Sequence, residues 1–326
     1  VVDTAGVDYC DGTGIGLLVE LTLRQRKAGG QLEITGLRTE FQRLMDMFDP
    51  AEFEKTQIEK PYKARLPEEV GRATFTIWDN LRSQITFLGE LIVALVSAVG
   101  NPRRVRWKDA FLIAETGGVN ALPIIALISF LIGLIMAFQA AIPMRQFGAE
   151  IFVADLIALS TLRELGPLMT AIVMAGRTSA AFAAELGTMK VNEEIDAMST
   201  MGLDPVRFLV VTRVIAILIM MPLLTIFANL LGIIGGSVVL LSLGYPLVTY
   251  VDRIIISASY VDLLGGLFKS LAFGLIVAGI GCSRGLQTKT GASAVGVSTT
   301  KAVVSGFILI IITDGIFSVV YFYLGI

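Results

Sequence analysis

The chain has no histidine in 326 residues. That removes imidazole proton relays, imidazole metal ligands and Ser-His-Asp catalysis together. Cysteine is almost as scarce: Cys10 and Cys282 stand far apart with no Cys-x-x-Cys, so neither a redox motif nor a thiolate zinc site is indicated. Charged residues make up 17%, against roughly a quarter in soluble domains. The formal net charge is −2, with no dominant basic surface, and nucleic acid is not expected as a partner. No GxxxxGK[ST] phosphate loop occurs, so the chain does not bind ATP by that route. No signal-peptide pattern opens it, and its start at Val1-Val2-Asp3 rather than Met leads us to expect a truncated or processed product.

What is abundant is apolar. Hydrophobic residues reach 54% and mean hydropathy is +0.75, values of an integral membrane protein. Charge is unevenly spread, dense over residues 1–110 and sparse over 111–326. The order is therefore a soluble N-terminal part, a basic boundary at NPRRVRWKD (101–109), and a membrane part. Thr116–Met144 and Val214–Val251 carry no charge, and each exceeds the roughly 20 residues needed to cross about 30 Å of hydrocarbon. Three further spans, interrupted by charge, are expected over about 156–182, 261–283 and 302–324. With a cytoplasmic N-terminus, the inner ends hold Arg103, Arg104, Arg106, Lys108, Lys190, Arg207, Arg213, Arg284, Lys289 and Lys301, and the outer loops only Arg145 and Arg253. The bias puts the N-terminus in the cytoplasm and the C-terminus outside.

Four ionisable residues fall inside these spans. Arg163 and Glu164 lie in the second, Lys269 in the fourth and Asp314 in the fifth. Counted from the outer end at about 1.5 Å per residue, all reach a depth of roughly 11 Å. A lone charge at the bilayer centre costs at least about 2.5–3.5 kcal/mol, so such groups face a bundle interior or a wet cavity. Two readings stand: an ion-pair cluster that fixes helix register, or a polar patch on a substrate route, with Arg163 and Lys269 offset by Glu164 and Asp314. Arg177 is expected to snorkel to the cytoplasmic interface. AGRTSAAFAAELG (175–187) and Gly232, Gly235 and Gly236 supply small residues for close helix packing.

Between the second and third spans, Val191, Ile195 and Met198 give a short helix one apolar stripe, with Asn192 as a cap, Glu193, Glu194 and Asp196 beside it, and Gly202 and Pro205 ending it. Such a helix fits a groove on a soluble partner or lies on the membrane surface; its acidic composition favours the partner. Over 72–99, Trp78, Leu81, Ile85, Leu88, Ile92 and Leu95 keep helical spacing while Arg72, Asp79, Arg82 and Glu90 lie off the stripe. This predicts an interfacial helix, with a coiled coil or core helix as the alternative. Residues 1–55 read as βαβα, with Asp11-Gly12-Thr13-Gly14 at the first strand-to-helix turn, a capping motif in which Thr13 is a candidate regulatory phosphorylation site. Two strands do not stand alone, so others are expected before Val1.

Three stretches, LRELGPLMTAIVMAGR, ELGTMKVNEEIDAMSTMGLDPVRFLVVTRVIA and GVSTTKAVVSGFILIIITD, resemble the permease subunit of the MlaE family of ABC transporters over about 75–326. DGTGIGLLVEL and GGQLEITG are similar to a STAS domain, although Asp-Gly-Thr-Gly replaces that family's common Asp-Ser-Ser-Gly. The resemblance implies a mainly α, five-span multipass protein of the bacterial inner membrane, laid out as a partial α/β STAS-like domain (1–57), a linker (58–71), an interfacial amphipathic helix (72–100) and a permease domain (101–326). It implies a non-enzymatic transport subunit without a cofactor of its own, working with a cytoplasmic ATPase that binds ATP, a second copy of itself and a periplasmic ring of the mammalian-cell-entry type. The substrate would be phospholipid, moved so as to maintain outer-membrane asymmetry. In that family 187–202 is the coupling helix on the ATPase, and Arg163, Glu164, Lys269 and Asp314 match positions linked to lipid passage. A STAS-linked secondary anion transporter is the rival; such carriers have many more spans, inverted repeats and STAS after the membrane part.

Overall fold

A computed structural model describes residues 1–7, 9–46 and 66–325. The predicted end of the STAS-like part (47–57) and most of the predicted linker (58–65) lie outside these residues, as do the side chains of Arg72, Asp79, Leu81 and Arg104. The chain forms two compact units, Val1–Thr76 and Ile77–Ile326.

In the first unit, strands Val2–Asp3 and Ile34–Thr35 pair in parallel, Val2 opposite Ile34. Parallel strands need a crossover, and the helix Gly12–Lys27 supplies it. Asp11 caps that helix by accepting from the Gly14 N–H at 2.9 Å, the capping role expected of the motif. Ile15 and Val19, one turn apart, are its buried residues. The chain leaves through Gly29 at φ 82°, and a second helix covers Thr39–Asp46.

The second unit holds five helical runs long and apolar enough to cross a membrane: Trp107–Arg145, Glu150–Val191, Val206–Ser242, Tyr260–Leu286 and Ser293–Leu324. The count is the expected one, but the helices are longer. The second run has 42 residues instead of the expected core of 156–182, which at about 1.5 Å each is roughly twice the hydrocarbon thickness. Its ends continue because the charges that bounded the apolar core are paired. Asp155 bonds Arg253, Glu185 meets Arg213 at 2.7 Å, and Lys190 meets Asp196 at 2.5 Å. Arg213 is thus a buried helical residue rather than a loop cation.

The first and third spans touch backbone to backbone. A Cβ at Gly133 would sit 1.9 Å from the Gly232 carbonyl oxygen, and one at Gly235 would sit 2.1 Å from that of Phe130. In lipid, where helices gain little from apolar burial, such contact is a main source of association. Around it Met174, Ile217, Met221, Leu224, Phe273 and Val277 close a core shared by the second, third and fourth spans. The fifth span buries little beyond Ala302 and Ile310, while Ile308, Ile311, Ile312, Ile316 and Val319 face outward.

The expected interfacial helix begins earlier, at Leu66, and runs to Gly100. It has two apolar faces. Leu91 and Ala94 are buried, with Phe87 and Leu95 packed on the core. Of the predicted stripe, Trp78, Ile85, Leu88 and Ile92 are exposed. Most of the stripe therefore faces outward, Leu95 excepted, and a neighbouring face anchors the helix. Gln287, just past the fourth span, donates to Ser83 Oγ at 3.0 Å and ties the helix down.

Candidate functional site

Arg163 and Glu164 sit in a wide π turn, Thr161–Leu165. Pro167 explains the turn. Its missing N–H and its ring disrupt the ordinary bonding pattern one turn upstream, and the Gly166 N–H reaches back to the Thr161 carbonyl, five residues away. A second wide turn, Ala175–Ser179, carries Arg177. Arg177 is exposed and reaches the Thr116 carbonyl of the first span at 3.5 Å. Wide turns of this kind recur at functional sites because they re-aim side chains.

Of the four predicted intramembrane ions, three meet. Lys269 Nζ, with no solvent exposure, lies 2.5 Å from Glu164 Oε2 and 2.9 Å from Asp314 Oδ1. The Asp314 contact is one of charges, for that oxygen makes no hydrogen bond. Glu164 Oε1 also accepts from Ser318 Oγ at 3.2 Å. Lys269 therefore ties the second, fourth and fifth spans together at one level. Gly266, one turn before it, allows the approach: a Cβ there would lie 2.1 Å from the Leu162 carbonyl oxygen.

The charge pattern reaches further than the four expected residues. Arg163 Nη1 lies 3.5 Å from Asp262 Oδ1, and its side chain is 36% exposed. Asp262, read from sequence only as the edge of the fourth span, also accepts from the Ser259 N–H at 2.9 Å in a capping box. The cluster thus holds two cations and three carboxylates, with Lys269 enclosed and Arg163 partly exposed. Sequence reasoning also missed Ser318 and Tyr321. Tyr321 donates to the Gly265 carbonyl at 2.9 Å, and its ring lies 5.8 Å from the Lys269 ammonium. Asp314, Ser318 and Tyr321 recur at i, i+4 and i+7, a polar stripe visible in the sequence as helical spacing.

The segment between the second and third spans is a helix of seven residues, Glu194–Thr200. Val191 is not part of it but ends the preceding helix, and Asn192 closes that helix instead of capping the next. Between them Glu193 adopts φ 61°, the one left-handed residue other than glycine among the described residues. That turn separates the two helices without a longer loop. Ile195 is 5% exposed, and Met198 packs beside it against the core. The apolar stripe therefore faces the permease itself and is not offered to a partner. What faces outward is Glu193, Glu194, Asp196 and Ala197, then Met201 and Leu203. A helix this short has little stability of its own, so Ile195 is its anchor. Ile195→Ala is expected to cost about 2–5 kcal/mol, read as a fall in unfolding temperature of the purified chain.

Thr13 is exposed in the first turn of the helix Gly12–Lys27. Among the described residues no cluster of three or more Cys, Asp or Glu side chains could hold a metal ion.

Comparison with known proteins covers both parts. Residues 113–320 match the family model described as permease MlaE, and residues 1–54 match a STAS domain model of the Mlab type. A probable ABC transporter permease protein of Rickettsia typhi is 38% identical over 198 residues, 60% of this chain and 76% of that protein. One from Synechocystis is 40% identical over 199 residues, 60% of this chain and 75% of its own length. The intermembrane phospholipid transport system permease protein MlaE of Haemophilus influenzae is 34% identical over 211 residues, 64% and 80%. The permease match takes in both the Lys269 cluster and the Glu194–Thr200 helix. The chain belongs to the MlaE permease family and carries a STAS domain ahead of its membrane-spanning part.

Proposed function

We propose that this chain is the membrane subunit of an ATP-driven transporter that moves phospholipid between bacterial envelope membranes. The single observation that carries the reading is the convergence of Lys269, Glu164 and Asp314 from three spans beside the more open Arg163. In this proposal Arg163 meets the phosphate of a passing lipid, since a guanidinium matches phosphate oxygens in pairs. Lys269 is the clamp that holds the three spans in register. Energy comes from a cytoplasmic ATPase seated against the outward face of Glu193, Glu194, Asp196 and Ala197. The absence of a phosphate loop in this chain and the permease names of its relatives support that division of labour. The same reading includes an N-terminus in the cytoplasm, a C-terminus in the periplasm, a second copy against the bare flank of the fifth span, and a mammalian-cell-entry-type ring outside. Thr13 is proposed as a site where phosphorylation regulates the assembly.

The test is purification of the full chain from native membranes in mild detergent, followed by mass spectrometry of bound proteins and lipids. An ATPase subunit and a glycerophospholipid are expected with it. Anion transport that persists in vesicles holding this chain and no ATPase would favour the secondary carrier instead.

A further inference from the structure

The ends of the first and third spans that adjoin the Glu194–Thr200 helix hold a cleft of about 330 Å³ with a mixed polar and apolar lining, which nothing in the transport reading uses. Arg106 and Arg207 line it, with Ser97, Thr212, Asp204 and Leu203. A second cleft of about 440 Å³ continues from it, sharing Ala94, Asp204 and Arg207. Arg106 opens the first span and Arg207 the third, whereas Lys269 lies near the start of the antiparallel fourth. The cleft therefore sits at the end of the bundle away from the intramembrane cluster.

Its chemistry is that of a phosphate receptor. The Arg106 guanidinium stacks 4.5 Å from the centre of the Phe208 ring, which fixes its plane while leaving N–H groups on its edge to donate. Its carboxylate partner, Asp109 at 2.5 Å, is half-buried, and the Arg207–Asp204 pair at 3.3 Å is exposed. Exposed ion pairs of this kind contribute about 0–1 kcal/mol, so a dianionic or monoanionic phosphate can displace the carboxylates. Arg103 and Lys108, both exposed, add two cations within three residues of Arg106.

The surroundings say where that phosphate comes from. Trp107, half exposed, anchors its indole N–H on the Pro102 carbonyl at 2.9 Å, in the position that aromatic residues take at head-group level. The helix that supplies Ser97 and Ala94 also presents Ile92, Val93 and Val96 outward, the last two more than 60% exposed. A cleft with two guanidinium groups thus opens beside an apolar ramp on the same helix. We infer that it holds the head group of an anionic glycerophospholipid from the adjoining leaflet, its acyl chains lying along Ile92, Val93 and Val96. Such a bound lipid would brace the Leu66–Gly100 helix against the segment that follows the Glu194–Thr200 helix. The site is separate from the proposed transport route.

The experiment is native mass spectrometry of the full-length chain in detergent, offered an equimolar mixture of phosphatidylglycerol and phosphatidylcholine. Phosphatidylglycerol is expected to be retained selectively. Arg106→Gln and Arg207→Gln should each weaken that retention roughly fivefold, the effect of one basic residue at an anionic surface. Arg106→Lys should keep most of it. Ser97→Phe, which fills the cleft and leaves every charge in place, should reduce it as well, with thermal unfolding unchanged as the control for folding. Equal retention of the two lipids, or selectivity that survives the Gln and Phe variants alike, would overturn the assignment. Full displacement of phosphatidylglycerol by inorganic phosphate at the same concentration would also overturn it, by identifying a soluble phosphate as the ligand. Loss of lipid transport through Arg163 variants with this selectivity intact would separate the two sites.

Discussion

Replacing Lys269 by alanine is expected to abolish lipid transport and to destabilise the protein at the same time. Lys269 has no exposure and sits between Glu164 and Asp314. Removing it leaves Asp314, 18% exposed, and the more open Glu164, 38% exposed, without their shared counter-ion, a loss below the about 3–5 kcal/mol of breaking a fully buried pair. The spans should part where Lys269 joins them, and unfolding in detergent should occur at lower temperature. Stability and function can be told apart with a neutral set, Lys269→Met with Glu164→Gln and Asp314→Asn. That set removes the charges together and keeps the volume, so the fold should recover much of the loss. Transport measured in reconstituted vesicles should stay at least tenfold down if the charges act in lipid passage. Full transport by the neutral set would show that the cluster serves only to hold the helices.

Reversing Glu193 and Glu194 to lysine should uncouple the permease from its ATPase without unfolding it. Both residues are exposed and stand at the start of a helix whose other face is anchored by Ile195. Like charges placed across an interface cost several kcal/mol, so ATP hydrolysis by the assembled complex should fall about tenfold or more, with unfolding temperature little changed. Glu193 needs care in the choice of variant. At φ 61° it tolerates long unbranched side chains far better than β-branched ones, which is why lysine and not valine is the informative replacement. Lipid-stimulated hydrolysis at its normal rate in this variant would place the ATPase contact elsewhere, with Met201 and Leu203, exposed just beyond the helix, as the next face to change.

The two cases differ in how much of the site the residues announced. Lys269, Glu164 and Asp314 stand out because a charge in a run of leucine, isoleucine and alanine has few tolerable environments, so their convergence follows from cost alone. Arg163 was equally visible, yet its partner was not. Asp262 looks like the end of a hydropathic run, and only the packing of the fourth span against the second brings its carboxylate within 3.5 Å of the guanidinium. The Glu194–Thr200 helix shows the opposite failure. Its periodicity correctly marked Ile195 and Met198 as one face, but periodicity does not say what that face meets. A stripe buried on its own core and a stripe offered to a partner have the same spacing.

Composition and hydropathy by themselves determined that this protein has five apolar spans behind a charge-rich N-terminal part, because a run of apolar residues long enough to span lipid has no other low-energy fate. The same one-dimensional signals located the ionisable residues by depth and the segment between the second and third spans by composition. Tertiary structure alone decided which carboxylate each cation meets, which way the short helix turns its apolar face, and that two arginines far apart in the chain line one cleft. Those are contacts between residues distant in sequence, and their geometry is set by backbone approaches such as Gly133 on Gly232 and Gly266 on Leu162, which no local pattern encodes.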